Sequence, residues 1–176
     1  DIDCVFHVLP LRFELSKATA EAFALCSRNL HWGSPGKMAA QRAYAGGDWN
    51  DSQVQWKSYD EGITLAKKEK KPICLVFFTE WCPHCRNYSG VFHDPKVVEK
   101  SKQFVMIRLD KDKNAELSKK FAPDGEYIPR TYFLTPDGTL DAEIHAPRDQ
   151  YKYFYDEAQP GGVLSGMDDA LKKMKS

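Results

Sequence analysis

The chain has 176 residues, 25 Lys plus Arg against 25 Asp plus Glu, and 42% hydrophobic residues. Zero net charge offers no handle for nucleic acid or an acidic membrane surface, and neither is expected as a partner. No apolar run approaches the ~18 residues of a membrane span, and five cysteines do not read as a disulfide scaffold in a chain of this length.

Residues 1–47 read as an appendage or leader. Leu11, Leu15, Ala18, Ala22, Leu25 and Cys26 recur at helical spacing with charged residues between them, predicting a helix over 12–30. Gly33-Ser34-Pro35-Gly36 ends it, and Tyr44-Ala45-Gly46-Gly47 reads as a linker. A helix packed on the main domain, an arm for a partner and a leader foreign to the natural protein all fit this stretch. Spacing leaves open whether Cys4 and Cys26 pair. No signal peptide is visible, which decides nothing, because secretion removes that segment.

Residues 48–176 read as one domain. A short strand is expected at 54–57. Ser58 and Glu61 then form an S-x-x-E capping box, opening a helix that runs to a lysine-rich last turn at Lys70. After the Lys70-Lys71-Pro72 turn, Ile73-Cys74-Leu75-Val76-Phe77-Phe78 is continuously apolar, the pattern of a strand buried on both faces. A helix follows, interrupted by Gly90 and His93-Asp94-Pro95. Asp94 as N-cap with Pro95 at the first helical position restarts it through Lys100. Residues 104–110 predict a strand and 115–121 a short helix. Two strands, 131–134 and 140–144, flank the hairpin signal Pro136-Asp137-Gly138. Tyr151, Tyr153 and Tyr155 alternate with other residues, predicting an extended segment with one aromatic face, and 163–175 predicts a terminal helix. The order βαβαβαββα implies an α/β fold, a central mixed sheet flanked by helices.

The chemistry lies in Trp81-Cys82-Pro83-His84-Cys85-Arg86, directly after strand 73–78. Two cysteines one helical turn apart sit at a strand-to-helix junction. A helix start presents unpaired N–H groups and partial positive charge, and both favour a thiolate, the form that attacks a disulfide. Cys82 is therefore expected as the exposed nucleophile and Cys85 as the more buried resolving thiol. Pro83 supplies helical φ and has no N–H to satisfy. His84 is partly cationic near neutrality and stabilises a neighbouring thiolate further. A stabilised thiolate stabilises the reduced form, which makes the couple more oxidising. Zinc needs four ligands, and Cys74, His93 and His145 supply no second pair at metal spacing, so no metal is expected. Cys74, within the apolar strand, reads as a small buried hydrophobe, and His93 and His145 as surface or cap residues.

The strand, Thr79-Glu80-Trp81-Cys82-x-x-Cys85 and the later Tyr127-Ile128-Pro129-Arg130-Thr131 resemble the thioredoxin superfamily. Phe121 to Arg130 and Tyr151 to Tyr155 look more specifically like the small single-domain members of the endoplasmic reticulum and their bacterial secreted relatives. The resemblance covers about 48–176 and none of the first 47 residues. It implies that Pro129 is the family's cis-proline, with Ile128 offering its backbone to an extended peptide substrate. It also marks a departure: Val76 stands where reducing members carry a buried acid that assists the resolving cysteine. Glu80 is the nearby candidate to replace that acid as proton acceptor, and a solvated turn charge is its plainer role. Trp81 is expected to cover the Cys82 sulfur and meet the partner.

The function expected is thiol–disulfide exchange with protein cysteines, leaning to oxidation or isomerisation. It needs no cofactor beyond the Cys82–Cys85 disulfide, and it needs a separate redox partner. The other readings are general disulfide reduction and a thioredoxin fold used only to capture clients. An oxidising couple belongs in the periplasm, outside the cell or in the reticulum lumen more than in the cytoplasm. Lys172-Lys173-Met174-Lys175-Ser176 carries no K-D-E-L-type retention signal, which favours the periplasm or secretion.

Overall fold

A computed structural model of the chain describes residues 47–175. The helix expected over 12–30 and the Cys4–Cys26 question lie outside the described residues. Strand β1 is Trp56–Lys57, shorter than expected. The backbone before it is taken up by a turn, in which Asn50 O accepts from the N–H groups of Gln53 (3.0 Å) and Val54 (2.9 Å). Helix α1 (Tyr59–Glu69) starts at the capping box, where Ser58 Oγ donates to Glu61 Oε2 at 2.8 Å. It stops at Lys70, which takes the left-handed conformation.

Strand β2 (Ile73–Phe78) lies at the centre of the sheet. It pairs in parallel with β3 (Val105–Asp110), Ile73 opposite Val105, and antiparallel with β4 (Arg130–Leu134), Phe77 opposite Arg130. β1 adds to the other side of β3, giving the order β1-β3-β2-β4. Side chains alternate along β2, so two cores form. Ile73, Leu75 and Phe77 pack on the α1 side with Ala66, Ile107 and Tyr132. Cys74 and Val76 face the other way, into the core with Cys82, Cys85 and Tyr88. That second face is covered by helices α2 (Pro83–Ser89), α3 (Pro95–Ser101) and α5 (Gly161–Lys173). A 3₁₀ turn, Gly90–His93, joins α2 to α3, and Asp94 caps α3 by accepting from Lys96 N (2.8 Å) and Val97 N (3.3 Å). Helix α4 (Ala115–Lys120) follows β3. The mixed sheet with helices on both faces is thus the one the pattern of elements implied.

Two expected features do not form. The hairpin turn closes, with Gly138 N donating to Thr135 O at 2.9 Å, but strand 140–144 reduces to one bridge between Leu134 and Leu140. Asp141 folds the chain away. Its carboxylate accepts from Glu143 N at 3.1 Å and its carbonyl from Ile144 N at 3.3 Å. Lys173 of α5 then holds Asp141 and Glu143 at 2.8 and 2.6 Å, and Ile144 enters the core. The tyrosine run has no single aromatic face either. A turn, Phe154 N to Tyr151 O at 2.9 Å, breaks the alternation. Tyr153 packs on Tyr132 in one core, Tyr155 on Phe133 in the other, and Tyr151 stays exposed.

Helix α5 approaches β4 closely at Gly166, where a Cβ would lie 2.4 Å from Phe133 Cε2 and 3.0 Å from Tyr155 Oη. Both rings are buried and cannot swing aside. Gly166→Ala is expected to destabilise the fold by about 1–2 kcal/mol, overpacking outweighing the ~1 kcal/mol that alanine returns to a helix. Urea unfolding measures it, and an unchanged midpoint would contradict this packing.

Candidate active site

The C-terminal end of β2 and the N-terminal end of β4 lie at one edge of the sheet, because the two strands run antiparallel. The chain leaves β2 through Thr79, Glu80 and Trp81 into α2, and it enters β4 through Ile128 and Pro129. The topology therefore brings Cys82, Cys85, Ile128 and Pro129 to one edge. Ile128 packs against the core that holds both cysteines, and the Ile128–Pro129 peptide bond is cis.

Cys82 is the N-cap of α2. Its Sγ accepts from Cys85 N at 3.3 Å, and Pro83 occupies the first turn. A sulfur thus takes the place that Ser or Asp oxygen takes at most helix starts, in line with the helix's partial positive charge. Neither cysteine is in a disulfide. Cys82 is 4% exposed and Cys85 is wholly buried. The expectation of an exposed nucleophile is corrected here: capping draws the Cys82 sulfur inward, under the first turn. Burial pushes the Cys85 thiol up, and the hydrogen bond with Cys82 and the charge of Glu157 act the same way, against a hydrogen bond with the Thr79 backbone. Cys74 is fully buried, and burial alone raises its thiol. Val76 is buried in the same core.

The polar groups around the motif sort differently from their order in the chain. Trp81 is 67% exposed, and its indole N–H donates to Asp112 Oδ2 at 2.8 Å. It is tethered to the loop after β3, so an aromatic face stands open beside the site. Glu80 points to Lys113, 3.1 Å from its Nζ, and Lys113 also reaches Asp110 at 3.3 Å. That is the solvated turn charge. His84 contacts a residue that sequence spacing could not point to: its Nδ1 lies 2.9 Å from Glu157 Oε2. Asn87 Nδ2 donates to the other Glu157 oxygen at 3.3 Å.

The approach to β4 carries a second surprise. Arg130 is completely buried. Its Nη1 donates to Phe121 O and Gly125 O, each at 3.0 Å, and to Ser118 O at 3.4 Å; its Nη2 donates to Ser118 Oγ. The guanidinium sits 5.0 Å from the Phe77 ring centre. No carboxylate pairs with it among the described residues. The cation rests on carbonyls at the C-terminal end of α4, where the helix dipole is negative. It anchors the segment that leads to Pro129. Among the described residues no His, Cys, Asp and Glu side chains converge to hold a metal, and no helix is long and apolar enough to cross a membrane.

Residues 55–136 match the family model described as thioredoxin-like. The chain is 30% identical over 129 residues to human anterior gradient protein 2 homolog, covering 73% of this chain and 72% of that protein. It is 27% identical over 155 residues to anterior gradient protein 3 of Xenopus tropicalis, covering 86% and 92%. Among solved structures, a Thermus thermophilus thioredoxin superposes with a TM-score of 0.52 at 19% identity, over 69% of this chain and 90% of that one. A DsbH oxidoreductase does so with the same TM-score, 0.52, at 20% identity, over 87% and 99%. These two share the fold. The chain belongs to the thioredoxin-like family.

Proposed function

We propose that the protein is a thiol–disulfide oxidoreductase acting on protein cysteines, poised toward oxidation or isomerisation. The observation that carries this reading is the sulfur of Cys82 capping α2 at 3.3 Å from Cys85 N, with the Cys85 thiol buried one turn behind it. In the reducing direction the Cys82 thiolate attacks one sulfur of a substrate disulfide. A bond forms between them as the substrate S–S bond breaks, and the leaving sulfur takes a proton. Cys85 then gives up its proton and attacks Cys82 Sγ, releasing the second substrate sulfur as a thiol. Two electrons pass from the pair to the substrate. In the oxidising direction the Cys82–Cys85 disulfide takes two electrons from substrate thiols by the same steps reversed.

His84 beside the nucleophile and buried Val76 in place of an acid support the oxidising direction. Ile128 and Pro129 lie at the same edge of the sheet as the two sulfurs, which supports backbone pairing there with an extended peptide of loose sequence. The exposed face of Trp81 suits a protein partner. No cofactor beyond the two sulfurs is needed. Such a couple works where disulfides persist, in the periplasm, the reticulum lumen or outside the cell.

Equilibration in glutathione buffers tests the reading. The Cys82–Cys85 disulfide is expected to form with a potential above about −200 mV, whereas about −270 mV would make the protein a general reductase. In the reduced protein, Cys82 is expected to alkylate at least about tenfold faster than Cys85 and Cys74, whose thiols burial holds protonated. Equal rates for the three would overturn the assignment of Cys82 as nucleophile.

A further inference from the structure

A Cys-Pro-His-Cys motif places a single ionisable group, His84, between its sulfurs. In the fold that group is not left to itself. Glu157 meets it from the loop before α5, 73 residues further along the chain. The loop is braced so that this contact is held. Asp156 Oδ1 accepts from Ala158 N at 2.7 Å and Gln159 N at 3.1 Å, which pins the turn. Phe154 sets its ring against the His84 ring, centres 5.9 Å apart, with Arg148 5.3 Å away over the same phenyl ring. Both carboxylate oxygens of Glu157 are engaged on α2, one by His84 at 2.9 Å and one by Asn87 at 3.3 Å. The side chain is 26% exposed, against 61% for His84, so its charge is only partly screened.

A carboxylate in that position acts on the sulfurs in two ways, and both oppose His84. It neutralises the imidazolium, and it repels a thiolate directly. The repulsion reaches Cys85, where Glu157 adds to the effect of burial. Destabilising thiolates destabilises the reduced pair relative to the disulfide. Resting on the disulfide-exchange reading above, we propose that Glu157 is a charge-setting residue that holds the Cys82–Cys85 couple less oxidising than its Cys-Pro-His-Cys motif alone would make it.

The test is the redox equilibrium of the full chain with glutathione, in which the reduced pair and one glutathione disulfide give the protein disulfide and two glutathiones. It is read for every variant in the same buffer at one fixed pH. Glu157→Gln keeps the size and one acceptor oxygen, turns the other oxygen into an amide donor and removes the charge. The equilibrium constant for forming the protein disulfide is expected to fall three- to tenfold in this variant, and tenfold corresponds to about 30 mV. Glu157→Asp, which keeps the charge, is expected to shift it by less than the Gln variant. A fall of less than threefold in Glu157→Gln, any rise, or an equal shift in Glu157→Asp overturns the proposal. A purely structural clamp would leave the potential of the Gln variant where it was. If the wild-type chain forms no Cys82–Cys85 disulfide in these buffers, the disulfide-exchange reading fails and this inference with it. If it does and the Gln variant matches it, only the role of Glu157 fails.

Discussion

Cys82→Ser is expected to lower disulfide exchange at least about 10³-fold, because a serine hydroxyl at that cap cannot ionise and form the mixed disulfide. Cys85→Ser is expected to fail differently. Attack by Cys82 still occurs, but no thiol stands behind it to complete the exchange. The variant should accumulate a covalent adduct with substrate through Cys82, visible by mass and released by dithiothreitol. In the wild-type protein the resolving step should quicken as pH rises from 6 to 9. Burial raises the Cys85 thiol, so the thiolate is scarce at neutral pH and grows with each pH unit. A resolving rate that is flat over that range would remove Cys85 from the role. The Cys82 variant also separates catalysis from client capture: if it keeps the protein's full activity on scrambled substrates, the fold serves binding alone.

Arg130→Met is expected to cost about 3–5 kcal/mol, the largest loss of stability foreseen for a single change in this protein. The substitution preserves length and apolar packing against Phe77, but it takes the donor from the carbonyls of Ser118 and Gly125 and from the Ser118 hydroxyl, and leaves Phe121 O with the Tyr132 hydroxyl as its donor. These groups lie in or against the interior, where an unmatched polar atom costs about 1–3 kcal/mol and the losses do not add fully. Arg130→Lys keeps the charge and loses the fork, and it should recover only part of the difference. Urea unfolding gives the magnitude, and hydrogen exchange should show the 121–129 segment loosened first. A loss below about 1 kcal/mol for Arg130→Met would mean that water replaces the guanidinium at little cost, and that the segment leading to Pro129 is held by something else.

Much of this protein was legible in its residues. The capping box at Ser58, the apolar run of β2, the Asp94-Pro95 restart and the Cys-x-x-Cys at a strand-to-helix junction are local features. Each depends on neighbours within about one turn, where chain geometry leaves few alternatives. They imply the order of elements, the mixed sheet and the two sulfurs at its edge. The failed readings share another character. Strand 140–144 alternates well enough, but Asp141 and Glu143 found Lys173 on α5 and the chain followed them. The tyrosines alternate too, but a turn sends Tyr153 and Tyr155 to opposite cores.

The site divides the same way. Cys82, Pro83, His84 and Cys85 announce themselves by spacing, whereas the partners that set their chemistry do not. Glu80 is close in sequence and turns to Lys113; Glu157 is 73 residues from His84 and lies against it. Arg130 follows Pro129 in the chain with no local feature to mark its place, and it is sealed inside on helix-end carbonyls. A charge has no periodicity, and its partner is fixed by the path of loops through space. Local residue order therefore determined where the sulfurs sit, and only the folded chain decided which charges surround them.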